Sequence, residues 1–80
     1  MKTPRDLSGV ELAKALSGIG YRVTRQTGSH LRLTHETPPQ HHVTIPAHDS
    51  LKLGTLSAIL AEVATHLKIS RDDLLHQLFD

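Results

Sequence analysis

The 80-residue chain contains no cysteine and no tryptophan, and its aromatic residues are limited to Tyr21 and Phe79. Without cysteine the protein can form neither a disulfide bond nor a cysteine-based zinc site. With so few aromatic rings, a platform that stacks on single-stranded bases is not expected. The N-terminal residues carry no apolar run that would indicate a signal peptide, and no stretch is long enough to cross a membrane. We therefore expect a cytoplasmic protein that does not interact with membranes.

A chain of this length predicts one domain, spanning residues 1–80, with residues 1–6 flexible. The net charge is only +1, but the two signs are unevenly distributed. Residues 1–34 contain six basic and two acidic side chains, whereas residues 35–80 contain three basic and six acidic ones. The basic half suggests an anionic partner, although an ordinary scatter of surface charge is the simpler interpretation on charge alone.

Capping residues mark the start of a first helix. Ser8 is a candidate N-cap and Glu11 follows three residues later, which together form the pattern of a capping box. Gly18 and Gly20 are expected to end the helix, because glycine adopts left-handed backbone angles at little cost. Apolar residues at helical spacing predict its buried stripe: Val10, Ala13, Leu16 and Ile19.

Three short segments then alternate between apolar and polar residues, which is typical of half-buried strands. They cover residues 21–25, 30–34 and 42–46, and the short connections between them predict an antiparallel sheet. Two helices follow, one from residue 54 or 55 and one after the N-cap Ser70. The predicted class is therefore α+β, in the order α-β-β-β-α-α, with a three-stranded antiparallel sheet and the helices on one face.

The alternation also assigns residues to the two faces of the sheet. The apolar residues are expected to face the helices: Tyr21, Val23, Leu31, Leu33, Val43 and Ile45. The opposite face then carries polar residues: Arg22, Thr24, His30, Arg32, Thr34, His42 and Thr44. A face rich in arginine and histidine could bind an anion, but antiparallel sheets commonly have one polar face that is simply exposed to solvent.

Seven histidines are an unusual number for a chain of this length. Their spacing matches no established metal-binding pattern, so we expect no metal and no other cofactor. Proton transfer is a second interpretation, because histidine can both accept and donate a proton near neutral pH. His30 has the surroundings that metal-free RNA cleavage needs, with Arg22, Arg25 and Arg32 as nearby cations. A third interpretation, surface or loop residues without a role, is the one we expect for His35, His41, His66 and His76.

Several short segments stand in an order and at separations that resemble one known family. They are Leu7-Ser8-Gly9, Gly18-Ile19-Gly20-Tyr21, Arg25-Gln26-Thr27-Gly28-Ser29-His30, Val43-Thr44-Ile45-Pro46-Ala47-His48, and Leu53-Gly54-Thr55-Leu56 with Ile59-Leu60. The likeness extends from Leu7 to about Phe79 and is to the HicA toxins of bacterial toxin–antitoxin pairs, also described as YcfA-like proteins. Many relatives have a second histidine or an aromatic residue after the Gly-Ser-His triplet, where this chain has Leu31.

The resemblance implies a fold similar to a double-stranded-RNA-binding domain. It also implies a toxin with endoribonuclease activity, which cleaves mRNA until a HicB-like antitoxin covers its active site. The family's catalytic histidine falls on His30, which we expect to act as general acid/base without a metal. His48 matches a family position that is not expected to be catalytic, and whether His42 or His48 assists His30 is left open. The expected RNA contacts are Arg22, Arg25, Gly28, Ser29 and Arg32.

Two other functions stay open on the sequence alone. One is a non-catalytic RNA-binding module, which would grip RNA through its phosphates. The other is a pure interaction protein, which would bind an antitoxin-like chain tightly and RNA weakly. For the toxin that the resemblance implies, the expected partners are an mRNA substrate and a HicB-like antitoxin, with no DNA contact by this chain alone.

Overall fold

A computed structural model describes residues 6–80, and its elements follow the predicted order. The bounds are α1 (Gly9–Ser17), β1 (Tyr21–Thr27), β2 (His30–His35), β3 (His41–Pro46), α2 (Leu53–Leu67) and α3 (Arg71–Phe79). The α+β class is confirmed. Within the described range, no helix is long and apolar enough to cross a membrane. The expected flexibility of residues 1–6 falls, apart from Asp6, outside the described residues.

The start of α1 is the predicted capping box. The Ser8 hydroxyl accepts a hydrogen bond from the Glu11 backbone N–H, and the Glu11 carboxylate accepts one from the Ser8 N–H, both at 3.0 Å. These bonds to Ser8 favour the ionised form and lower the pKa of Glu11. The predicted stripe is partly wrong: Val10 is 61% exposed, because the buried face of the helix runs through Gly9, Leu12, Ala13 and Leu16.

Gly9 lies where α1 meets the end of β3. Its N–H donates to the carbonyl oxygen of His48 at 3.0 Å. A Cβ atom at this position would stand 2.0 Å from the carbonyl oxygen of Pro46. Only glycine therefore allows this approach, which gives the Leu7-Ser8-Gly9 segment a structural reason.

The connection from α1 to β1 uses one of its two glycines as expected. Gly20 has a φ of +104°, in the region that favours glycine. Gly18 keeps a right-handed conformation, with a φ of −70°, so the expectation of left-handed angles is wrong there. The last turn is still closed by the Gly18 N–H, which donates to the Ala15 carbonyl oxygen at 3.1 Å, and by the Ile19 N–H, which donates to that of Leu16 at 3.0 Å.

The sheet has the order β1-β2-β3, and both strand pairs are antiparallel. One face packs against the helices, and the residues that β2 and β3 were predicted to bury are buried. Val23 is the exception to the predicted core, since it lies on the edge strand β1 and is 49% exposed. The core combines Tyr21, Leu31, Leu33, Val43 and Ile45 with Leu12, Leu16, Leu56, Leu60, Val63, Leu74 and Leu75 of the helices.

The two C-terminal helices complete the core. α2 begins at Leu53, slightly earlier than predicted, and ends at Leu67, after which the left-handed conformation of the C-cap residue Lys68 turns the chain. The Ser70 side chain accepts a hydrogen bond from the Asp73 N–H at 3.0 Å, which confirms the predicted N-cap of α3. The apolar face of α2 that packs on the sheet consists of Leu56, Ile59, Leu60 and Val63.

Candidate functional site

The β1–β2 hairpin presents His30 at the end of the sheet face that the helices leave uncovered. Thr27 pairs with His30, and Gly28 and Ser29 form the connection between them. The Ser29 carbonyl oxygen accepts a hydrogen bond from the Ala47 N–H at 2.8 Å, which anchors the turn to the segment after β3. The Ser29 hydroxyl oxygen lies 3.1 Å from Nδ1 of His30. This contact leaves Nε2 of the imidazole available to a ligand.

A β-bulge at Thr24 changes which side chains accompany His30. Val23 pairs with Leu33, but Arg25 pairs with Arg32, so β1 has one residue more than its partner between these pairs. Strict alternation would place Arg25 on the helix side, together with Tyr21. The extra residue reverses the faces beyond it, because side chains alternate with a period of two. Arg25 therefore shares the face of Arg32.

These residues surround a shallow cavity of about 170 Å³. Arg25 and Arg32 lie directly opposite each other, although like charges across two strands are unfavourable. Neither arginine forms an ion pair with a carboxylate among residues 6–80. None of these described carboxylates thus neutralises the positive charge, which is the arrangement that an anion site needs. The lining comprises Arg25, Thr27, His30, Arg32 and Thr44.

Arg22 lies apart from this cavity, although it is on the same face. It pairs with Thr34, four residues from His30, which corresponds to about 13 Å along β2 at about 3.3 Å per residue. Its guanidinium is 3.5 Å from the Glu36 carboxylate. Of the three arginines singled out in the sequence, the structure brings two to His30 and pairs the third elsewhere.

Gly28 is exposed at the tip of the hairpin. A Cβ atom added there would meet no atom within 4 Å. The described part of the chain therefore has no steric need for glycine at this position, in contrast to Gly9. The bare backbone of Gly28 next to His30 leaves room for the close approach of a ligand.

A hydrogen-bonded chain of side chains, which no sequence pattern had indicated, lies on the same sheet face. The Thr34 hydroxyl lies 2.8 Å from the Thr24 hydroxyl and 2.8 Å from Nδ1 of His42. Thr34 is only 2% exposed, although it belongs to the face without helices. The predicted polar face contained all three residues, but its period-two pattern carries no signal for contacts between them.

A cluster of rings occupies the helix side, where no role was expected for its histidines. The Tyr21 hydroxyl lies 2.7 Å from Nδ1 of His41. The His41 and His66 rings are stacked with centroids 4.5 Å apart, and His35 contacts His66 edge-on at 5.2 Å. His35 is 8% exposed, so its interpretation as a surface or loop residue is wrong. The strands extend to residues 35 and 41, beyond their predicted ends, and this brings the rings together.

Burial in this cluster changes the titration of two groups. It raises the pKa of Tyr21 to about 12, and the negative charge of Glu62 adds to the effect. The pKa of His66 is lowered by loss of hydration and by the neighbouring imidazoles of His41 and His35. These groups are therefore favoured in their neutral forms in the folded protein.

In the described range 6–80, no group of histidine and carboxylate side chains has an arrangement that could hold a metal ion.

A family model described as the HicA toxin of bacterial toxin-antitoxin matches residues 9–64, which is well over half of the chain. The matched range includes the whole sheet and the His30 cavity. No curated protein and no solved structure matches the chain.

Proposed function

The chain belongs to the HicA toxin family, and from this membership we propose that it is an endoribonuclease that cleaves mRNA at the His30 cavity. As a toxin of a toxin–antitoxin system it has a cognate antitoxin. We infer that this partner is HicB-like and covers the cavity. An mRNA substrate also makes the cytoplasm the expected compartment.

The observation that carries the proposal is the Arg25–Arg32 pair beside His30. Two guanidinium groups that face each other without a carboxylate repel each other, so the arrangement lowers stability unless an anion lies between them. Arginine matches the geometry of a phosphate oxygen pair particularly well. A phosphodiester group placed there would lie next to His30, whose Nε2 is free to exchange a proton.

The lining residues supply the parts that RNA cleavage needs. Nε2 of His30 removes the proton from a ribose 2′-hydroxyl, and the 2′-oxygen forms a bond to phosphorus. The bond from phosphorus to the 5′-oxygen breaks, and this leaving oxygen takes up the proton that His30 received, so that the imidazole acts first as base and then as acid. The products are a 2′,3′-cyclic phosphate and a 5′-hydroxyl end. The charge that develops on the phosphate oxygens is stabilised by Arg25 and Arg32.

Three groups hold this arrangement in place. The Thr24 bulge turns Arg25 to the correct face, the Ala47 N–H anchors the hairpin turn, and the Ser29 hydroxyl orients the His30 ring. Gly28 allows the RNA backbone to approach the turn. Arg22 is expected to contact RNA only outside the cavity, because its ion pair with Glu36 lies at the far end of the sheet.

The test is incubation of the purified protein with an mRNA in excess EDTA. We expect fragments with 5′-hydroxyl ends, and no cleavage at a linkage whose ribose 2′-hydroxyl has been replaced by hydrogen. Tight binding that weakens steeply with salt, without any fragments, would instead establish a non-catalytic RNA-binding module. Weak RNA affinity together with tight antitoxin binding would establish a pure interaction protein.

A further inference from the structure

His42 lies on the same sheet face as His30 and is held in the same manner. Its Nδ1 atom lies 2.8 Å from the Thr34 hydroxyl, as that of His30 lies 3.1 Å from the Ser29 hydroxyl. His42 is exposed, and in the described part of the chain nothing bonds its Nε2 atom. A ring that is oriented at one nitrogen and free at the other is prepared to bind a group from outside.

The hydroxyls behind His42 form a continuous chain of hydrogen-bonding groups. The Thr24 hydroxyl lies 3.4 Å from the backbone carbonyl oxygen of Arg32, to which it can donate a hydrogen bond. The contacts of Thr34 with Thr24 and with Nδ1 of His42 can run in either direction, because each hydroxyl can donate or accept. In both cases the hydroxyls engage Nδ1 of His42 and leave Nε2 directed away from them.

His42 does not belong to the cavity around His30. Thr34, its partner across β2 and β3, is four residues from His30. Strand spacing therefore separates the Cα atoms of His42 and His30 by about 14 Å, which is too far for one phosphate to bridge. Thr44, which lines the cavity, lies between them on β3 and makes the polar surface continuous.

We propose that His42 forms a second RNA-binding subsite, which binds a phosphate group flanking the linkage that is cleaved. Thr34 acts as its positioning residue, because a nearly fully buried hydroxyl on the solvent side of a sheet is placed to fix the ring above it. The subsite rests on the proposed function for the identity of its ligand. If the subsite exists, His42 should add to the affinity only for RNAs long enough to reach it, whereas the cleavage step should depend on His30.

The experiment measures RNA affinity in a His30→Ala background, so that no probe is cleaved. The probes are a dinucleotide and a single-stranded RNA on the order of ten nucleotides long, a length within the usual site sizes of single-strand binders. We expect His42→Gln to reduce the ratio of the two affinities, longer over shorter, about tenfold, as for the loss of a hydrogen bond to a charged group. His76→Gln, which removes an exposed histidine from α3, is the matched control and should leave the ratio unchanged.

The positioning role of Thr34 has its own readout. Thr34→Val should reduce the ratio as His42→Gln does, and Thr34→Ser, which keeps a hydroxyl, should restore it. Equal losses of affinity for both probes, or no loss for either, would overturn the subsite. A protein that never cleaves RNA but shows the length-dependent loss would refute the proposed function and leave the subsite standing.

Discussion

The hydroxyl oxygen of Ser29 stands 3.1 Å from Nδ1 of His30, at the turn that carries the candidate site. The hydrogen bond at one ring nitrogen of a histidine determines whether the other nitrogen carries a proton. Because the turn is itself anchored by the Ala47 N–H, Ser29 joins the orientation of the ring to the position of the backbone. We therefore expect the residue before the histidine to contribute to activity, as the arginines around it are expected to do.

Replacement of Ser29 by alanine should therefore slow RNA cleavage without unfolding the protein. The expected loss is about five- to tenfold in kcat, the equivalent of one hydrogen bond, with little change in KM. Ser29→Thr keeps the hydroxyl and should retain most of the activity. A shift in the pH profile of kcat for the alanine variant is the measurement that separates orientation of His30 from simple RNA contact, and an unchanged profile with a raised KM would contradict this role.

The Arg25–Arg32 pair predicts opposite effects on stability and binding. Arg25→Gln should raise the free energy of unfolding by about 0.5 kcal/mol, because it removes a like-charge contact across two strands. The same variant should weaken RNA binding and reduce the slope of log affinity against log salt by about one. Urea unfolding and salt titrations measure the two quantities. A loss of stability would argue against the repulsion that the account invokes.

Two glycines should respond differently to alanine. Gly9→Ala should lower the free energy of unfolding by about 3 kcal/mol, since the new Cβ atom meets the Pro46 carbonyl oxygen and α1 has to move. Gly28→Ala meets no atom of the described chain and should leave unfolding nearly unchanged while reducing RNA cleavage. Thermal unfolding and a cleavage assay on both variants check this contrast, and equal destabilisation would contradict it.

The ring cluster predicts a loss of stability in mild acid. The folded state lowers the pKa of His66 below its ordinary value of 6.5, so the unfolded state binds this proton more readily. The stabilisation from a neutral His66 is therefore complete above pH 6.5 and is lost as the pH falls below that value. Urea unfolding between pH 7.5 and about 5 should show this decline.

His66→Phe is the corresponding test variant, because it keeps a ring against His41 and His35 but cannot take up a proton. Its stability should depend less on pH below 6.5 than that of the parent protein. His48→Gln, a change at an exposed residue after β3, should leave the dependence unaltered. An identical pH dependence for the parent and His66→Phe would mean that a group other than His66 causes the loss of stability in acid.

Local patterns in the sequence predicted most of the fold. The capping box at Ser8 and Glu11 is a four-residue signal, and alternation in β2 and β3 identified the buried residues because both strands pair without interruption. Val10 and Val23 were assigned to the core because hydrophobicity alone does not reveal where the edge of a small core lies.

The candidate site was only partly predictable, for a reason that concerns strand pairing. The position of His30 on the outer face follows from alternation within β2. The Thr24 bulge is an offset between two strands, and no pattern within β1 contains it. Arg25 could be expected near His30, but its direct pairing with Arg32 on the same face could not. The contacts of Thr34 with His42 and of Tyr21 with His41 depend on the same cross-strand register.

In the proposed function, His30 is the group that transfers protons in RNA cleavage. The most direct test is the single-turnover rate constant for cleavage of one RNA in excess EDTA, measured for the parent protein and for His30→Ala after both have been shown to unfold at the same temperature. We expect the parent protein to cleave the RNA and the rate constant of the variant to be lower by about a hundredfold or more. A His30→Ala protein that cleaves the RNA at a rate close to that of the parent would contradict it.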